Sequence, residues 1–272
     1  MAAEATPVEG PRIGVIGGSG FYEFLDEVTE VAVDTPYGAP SDQVSIGGLA
    51  GREVAFLPRH GRRHALPPHR INYRANLWAL RALGVRQILA PGAVGGLQPE
   101  LGPGTLVIPD QLVDRTSGRE QTYHDGRPGT DGQLPQVVHA PFADPYCPVG
   151  RATVLDSARR GGWSPVDGGT MVVIAGPRFS TRAESRWYAR EGWTVVGMTG
   201  HPEAVLAREL GLCYTALSLV TDRDSGVEAG QGVTQQEVFA VFARNVDRLR
   251  VLLAEALGRL PAGQVGCACA GH

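Results

Sequence analysis

Apolar positions along this chain follow two rhythms that alternate with each other. Short β-rich runs, each ending near glycine, proline or a charge, occur at Arg12–Ile16, Val44–Ile46, Glu53–Leu57, Gln87–Ala90, Thr105–Ile108, Thr170–Ile174, Thr194–Val196 and Tyr214–Val220. Runs of that length and composition read as strands. Between several of them apolar residues recur with helical spacing, at Tyr73–Leu83, Cys147–Arg160, Arg182–Glu191 and Pro202–Leu210. A last helix, Gln235–Leu260, puts Val238, Phe239, Phe242, Val246, Leu249, Leu252 and Leu253 on one stripe with arginines opposite, a pattern expected to pack on the sheet. Alternating strands and helices predict an α/β sandwich in one domain, with a mixed, largely parallel central sheet flanked by helices. Pro128–Gln136 reads as a polar loop, and the ends, Met1–Gly10 and Gly263–His272, as flexible tails.

Composition narrows the chemistry. With 272 residues, 43% of them hydrophobic, and a formal charge of −3, the chain can bury a large core. It carries no excess positive charge to bind nucleic acid or an anionic membrane wholesale. No apolar run approaches the roughly 20 residues that span a bilayer, and Met1–Gly10 lacks the order of a signal peptide, so a cytoplasmic location is expected. Every basic side chain other than histidine is arginine; the chain has no lysine. That excludes a P-loop and Schiff-base catalysis, including catalysis with pyridoxal phosphate. Cys147 and Cys213 read as isolated structural thiols. Cys267 and Cys269 form a C-x-C near His272, and two thiolates with one imidazole fall short of a closed metal site, so no metal is expected.

Candidate chemistry sits where predicted strands end. Gly17-Gly18-Ser19-Gly20 offers unobstructed amides and a hydroxyl to an oxyanion, or is simply a turn; its spacing fits neither G-x-G-x-x-G nor G-x-S-x-G. Arg59, after Pro58, suits a bidentate phosphate contact. His60, His64 and His69 lack a shared helix face for metal ligation. Gly92-Ala93-Val94-Gly95-Gly96 reads as a second glycine turn, either supplying amides or leading from strand to helix. Phe179, in a Gly-Pro turn, either stacks on a planar base or packs in the core. Gly197-Met198-Thr199-Gly200 leads into a helix whose N-terminus favours an anion. Asp222 and Asp224, closing the last strand, are a general acid and a polar anchor, or solvated loop charges.

Several long segments in fixed order carry a more specific signal. They are Ile13–Phe21 (I-G-V-I-G-G-S-G-F), Asp34–Ser41 (D-T-P-Y-G-A-P-S), Arg59–His64 (R-H-G-R-R-H), Asn72–Leu80 (N-Y-R-A-N-L-W-A-L), Asp110–Ser117 (D-Q-L-V-D-R-T-S), Phe142–Pro148 (F-A-D-P-Y-C-P), Gly176–Glu184 (G-P-R-F-S-T-R-A-E) and Thr221–Asp224 (T-D-R-D). With these motifs the chain, from about Arg12 to Leu260, resembles the trimeric purine nucleoside phosphorylases, specifically their methylthioadenosine phosphorylase branch.

The resemblance implies the nucleoside phosphorylase fold and phosphorolysis of a nucleoside, with inorganic phosphate as co-substrate and no metal or organic cofactor. It implies phosphate among Ser19, Arg59, His60, the amides near Gly92 and Ala93, and the Thr199 hydroxyl. It further implies the Met198 backbone at the ribose, Phe179 on the purine, and Asp222 with Asp224 at N7 and the 6-amino edge. Relatives that use 6-oxopurines carry glutamate at the position of Ser180 and asparagine at that of Asp222, so both residues here are of the adenine type. Gln235 and Val238 fall at the pocket for the 5' substituent. The chain departs from the pattern at Gly92, where relatives often have threonine; at Gly197, where asparagine is common; at Gly200-His201, which resembles some methylthioinosine-cleaving relatives; and at Gln235, where an apolar residue is usual. A homotrimer is implied, with His124–Asp144 contributing to a neighbour's pocket. Three other readings compete: a broader purine nucleoside phosphorylase acting on adenosine or inosine, a nucleotide-cofactor oxidoreductase supported only by Gly14–Gly20, and a purine-binding module without activity.

Overall fold

In a computed structural model of the protein, residues 12–18, 25–126, 138–227 and 232–270 are described. Ser19, the Pro128–Gln136 loop, Met1–Gly10 and His272 lie outside them.

The strands are β1 (Arg12–Gly17), β2 (Asp26–Val31), β3 (Val44–Leu49), β4 (Arg52–Pro58), β5 (Val85–Gly96), β6 (Leu106–Ile108), β7 (Gln111–Arg115), β8 (Val166–Asp167), β9 (Thr170–Ile174), β10 (Val195–Gly197) and β11 (Cys213–Arg223). The helices are α1 (Tyr73–Ala82), α2 (Pro148–Arg160), α3 (Arg182–Arg190), α4 (Gly200–Glu209) and α5 (Gln235–Arg259). The main path of the sheet runs β2-β3-β4-β1-β5-β10-β9-β7, and β11 pairs with β5 and β6, which in turn pairs with β8. The central neighbours β4, β1, β5 and β11 are parallel. The pairs β2–β3, β3–β4, β5–β10 and β6–β11 are antiparallel. The sheet is therefore mixed and largely parallel, as expected.

Side-chain alternation divides the core. In β4, Val54 and Phe56 join Leu252, Leu253 and Leu257 of α5 and Val154 of α2, whereas Ala55 and Leu57 join Leu77 and Leu80 of α1 and Leu206 of α4. Successive strand residues point to opposite faces, so a strand apolar at every position must be covered twice, and α1/α4 and α2/α5 are the two covers.

Three features differ from expectation. The Gly92–Gly96 segment is no turn; it is the last part of β5, paired from Ser218↔Gly92 to Arg223↔Gly96. Glycine serves close approach there, because a Cβ on Gly96 would lie 2.3 Å from the Leu101 carbonyl oxygen and one on Gly95 3.0 Å from Val196. Strands β2, β7 and β8 were not visible as apolar runs; β2 shows solvent nearly all its side chains and β8 has two residues. Finally, the segment after Leu260 packs as far as Ala270. Gln87 and Gln264 donate from Nε2 to Pro261 O at 2.8 Å and Gly211 O at 2.6 Å, and Cys269 is 2% exposed. Cys147 and Cys213 are not isolated, since Cys267 and Cys269 join them in one cluster. Folding back of the tail, which periodicity does not report, brings the four together.

Candidate active site

The C-terminal ends of β1, β4, β5 and β11 lie side by side, the place where parallel sheets hold ligands. A cavity of about 410 Å³ opens there, in the size range of small-molecule sites. It is lined by Arg59, His60, Gly92, Ala93, Phe179, Ser180, Met198, Thr199, Asp222, Asp224, Gln235 and Val238. Every site residue expected from sequence is thus in one cavity, except Ser19, which lies outside the described residues beside the lining residue Gly18.

One end of the cavity is acidic. Between Val220↔Val94 and Asp222↔Gly95 the β11–β5 register shifts, leaving Thr221 as an extra residue. Such a bulge re-aims the side chains that follow it. Thr221 Oγ1 donates to Asp222 Oδ1 at 2.7 Å. Burial nevertheless raises the Asp222 pKa to about 6, with Asp224 adding to the rise, because loss of water penalises the charged form. Asp224 is 3% exposed. Ser185 Oγ of α3 donates to its Oδ2 at 2.5 Å, and its backbone N–H to Gly96 O at 2.9 Å. Burial also raises the Asp224 pKa. Helix α3 starts in a capping box, Thr181 with Glu184, which fixes the turn carrying Phe179 and Ser180. Phe179 is half-buried and lines the cavity. Ser180 Oγ is buried without a hydrogen bond, close enough to Asp224 to lower its pKa but outside hydrogen-bonding geometry. A buried orphan hydroxyl awaits a partner.

The other end is built from Arg59, His60 and Thr199. Arg59 is 3% exposed. Its Nε and Nη2 donate to the two Glu203 carboxylate oxygens at 2.5 and 3.1 Å, Nη2 also to Ile16 O at 2.9 Å, and Nη1 to Pro91 O at 3.2 Å. Glu203 also accepts from Tyr214 Oη at 2.8 Å. Most of the fork is therefore committed to Glu203 and backbone, and one Nη1 N–H has no partner among the described residues. His60 Nδ1 lies 2.8 Å from Leu66 O. A carbonyl can only accept, so Nδ1 carries the proton and Nε2 is the acceptor. Burial lowers the His60 pKa to about 4, keeping the ring neutral. Thr199 is the N-cap of α4, yet its hydroxyl does not bond the helix. It remains available to an anion beside the helix N-terminus.

Above both ends, the first turns of α5 bring Gln235, Val238, Phe239 and Phe242 to the cavity, facing His64 and Leu66. The α5 stripe is thus divided. Its C-terminal half is buried in the core, while Phe239 remains 46% exposed and packs edge-on against His64 at 5.7 Å.

Sequence reasoning missed Glu203, whose only local signal is an acid in the first turn of α4, and the His64–Pro68 wall. His201, singled out by its motif, does not line this cavity. It is 6% exposed, with Nε2 2.8 Å from Gln121 Oε1 and 3.2 Å from Asp114.

Residues 12–258 match the model of the Phosphorylase superfamily, to which the chain belongs. It is 67% identical over 259 residues to a purine nucleoside phosphorylase of Streptomyces coelicolor, covering 95% of this chain and 92% of that one. It is 55% identical to the S-methyl-5'-thioadenosine phosphorylase of Mycobacterium tuberculosis, covering 97% and 95%. Among solved structures, methylthioadenosine phosphorylase from an antarctic soil metagenomic library superposes with a TM-score of 0.87 at 38% identity, covering 97% of this chain and 91% of the other. The Schistosoma mansoni methylthioadenosine phosphorylase bound to adenine gives 0.84 at 38%, covering 91% of each. The protein is a nucleoside phosphorylase, a pentosyltransferase, in the methylthioadenosine phosphorylase branch of the purine nucleoside phosphorylase family.

Proposed function

We propose that the substrate is a 6-aminopurine nucleoside with an apolar 5' substituent, S-methyl-5'-thioadenosine, cleaved by phosphate to adenine and 5-methylthioribose 1-phosphate. The observation that carries this reading is the Asp222–Asp224 pair in the same cavity as Arg59, with Phe179, Phe239 and Phe242 in its wall. Asp222, with its pKa raised to about 6, holds a proton more readily than an ordinary carboxylate. It donates toward N7 as the N-glycosidic bond breaks, so the bonding pair leaves with a purine whose charge is neutralised. Asp224 accepts from the 6-amino group, and Ser180 gains the partner it lacks.

Phosphate sits by Arg59, His60, the Gly92–Ala93 backbone, Thr199 and Ser19, and one of its oxygens bonds to C1' as the base departs. Neutral His60, with Nε2 as acceptor, suits a hydrogen phosphate that still carries one proton. Met198 meets the ribose. Val238, Phe239 and Phe242 favour a methylthio group over a hydroxyl, since an apolar wall leaves a hydroxyl unpaired.

Gln235 favours a second reading, in which an amide at the 5' end accepts adenosine as well. The S. coelicolor relative, named a purine nucleoside phosphorylase, agrees with that breadth. The deciding experiment measures kcat/KM for base release from methylthioadenosine, adenosine, inosine and methylthioinosine, with and without phosphate. Methylthioadenosine highest, and only with phosphate, is expected. Adenosine or inosine highest would replace this reading with the broader one.

A further inference from the structure

Far from the cavity, at the start of β11, four sulfurs meet. Cys213 opens β11, Cys147 is the N-cap of α2, and Cys267 and Cys269 lie on the tail that folds back after Leu260. All four Sγ atoms lie within 4.8 Å of one another, and Cys213 and Cys267 approach to 3.5 Å. Cys147, Cys213 and Cys269 are buried, at 1%, 4% and 2% exposure.

Mutual convergence of four sulfurs is the geometry of one central ligand. Zn–S bonds of about 2.3 Å place tetrahedral sulfurs about 3.8 Å apart. Disulfides would need only two separate pairs, each drawn to about 2.0 Å. The surroundings suit thiolates: Gly150 N–H at the α2 N-terminus donates to Cys147 Sγ at 3.4 Å, and Gln264 Nε2 to Cys213 Sγ at 3.5 Å. Donors of this kind orient metal ligands and spread their charge.

The tail also needs an anchor. Its one large apolar residue, Val265, is 68% exposed, so beyond the Gln87 and Gln264 hydrogen bonds its burial rests on the cysteines, Cys269 above all. A structural metal supplies folding free energy to such a segment outright.

We propose that Cys147, Cys213, Cys267 and Cys269 bind one structural zinc ion, which staples the C-terminal tail to the base of β11 and the N-terminus of α2. Four soft thiolates with no open position favour zinc over hard cations and leave no site for catalysis. The ion sits at the opposite end of β11 from Asp222 and does not touch substrate.

The test uses the full chain, expressed with added zinc and purified anaerobically without chelator or reductant. Zinc is counted by mass spectrometry, and thiols are counted after denaturation. One zinc per chain with all four thiols titratable is expected. In Cys267→Ser/Cys269→Ser, zinc should fall below about one tenth of an equivalent, with thermal inactivation at a lower temperature and unchanged phosphorolysis in the cool. Wild-type chain without zinc, whether its thiols are free or paired in disulfides, would overturn the proposal, as would a double variant that keeps its zinc. The wild-type count stands even if the variant fails to fold.

Discussion

At the scale of single residues, Asp222 ties stability to function in opposite directions. Its pKa is about 6 in the fold against 3.8 for the free side chain. The native state therefore binds more protons between those values, and the group's contribution to stability falls as pH rises through that window, by about 3 kcal/mol in all at about 1.4 kcal/mol per pK unit. Asparagine is neutral at every pH and escapes that penalty. Asp222→Asn should therefore lower adenine release by ~10²–10⁴ while melting at a higher temperature than wild type at pH 8, and the gain should vanish near pH 4. Near-normal turnover would remove Asp222 as the acid. A drop in melting temperature at pH 8 would contradict the burial argument.

Two parts of the site, the β5–β11 ridge and the first turns of α5, each support a prediction. The β5–β11 ridge aims the carboxylates, because glycine lets the strands crowd together. A Cβ on Gly95 would stand 3.2 Å from Asp222 Oδ2 and 3.2 Å from Asp224 Cβ. Gly95→Ala is expected to cost about 10-fold or more in kcat/KM, as small misplacements of reacting groups do, and adenine binding followed by calorimetry should weaken with it. The first turns of α5 set the 5' end. Gln235→Leu, at an exposed position, should raise the methylthioadenosine-to-adenosine kcat/KM ratio by roughly 5- to 10-fold, the value of one to two apolar contacts, without changing melting. An unchanged ratio would take Gln235 out of the specificity pocket.

On the scale of the whole molecule, the Arg59–Glu203 pair joins β4 to α4 beneath the site, its side chains 4% and 0% exposed. Removing one member leaves the other charge buried. Glu203→Gln should cost about 3–5 kcal/mol in urea unfolding, so the pair is read first as structure and only then as a support for phosphate. A cost below ~1 kcal/mol would show that Arg59 finds water or another partner. Assembly belongs to this scale too. The exposed Phe239 and Trp187, with the family resemblance, lead us to expect a homotrimer. Light scattering should give three times the 28.8 kDa chain mass; a monomer with full activity would refute a shared pocket.

Some of this was readable in order along the chain. The rhythm of apolar residues located helices α1 to α5 to within a few residues, since a helix covering a sheet must show a stripe and a buried strand must be apolar. Candidate loops could be recognised because chemistry collects at strand ends, and the absence of lysine removed whole reaction classes. What no local pattern contains is the meeting of distant parts. Glu203 grips Arg59 from 144 positions away, Asp222 owes its raised pKa to burial, and Gly92–Gly96 became strand because β11 lies against it. Four cysteines that looked scattered share one cluster because the tail folds back. Periodicity records which face of each element is apolar, and that is a local property; which faces meet, and what dielectric and partners each polar group then finds, exist only once the chain is packed.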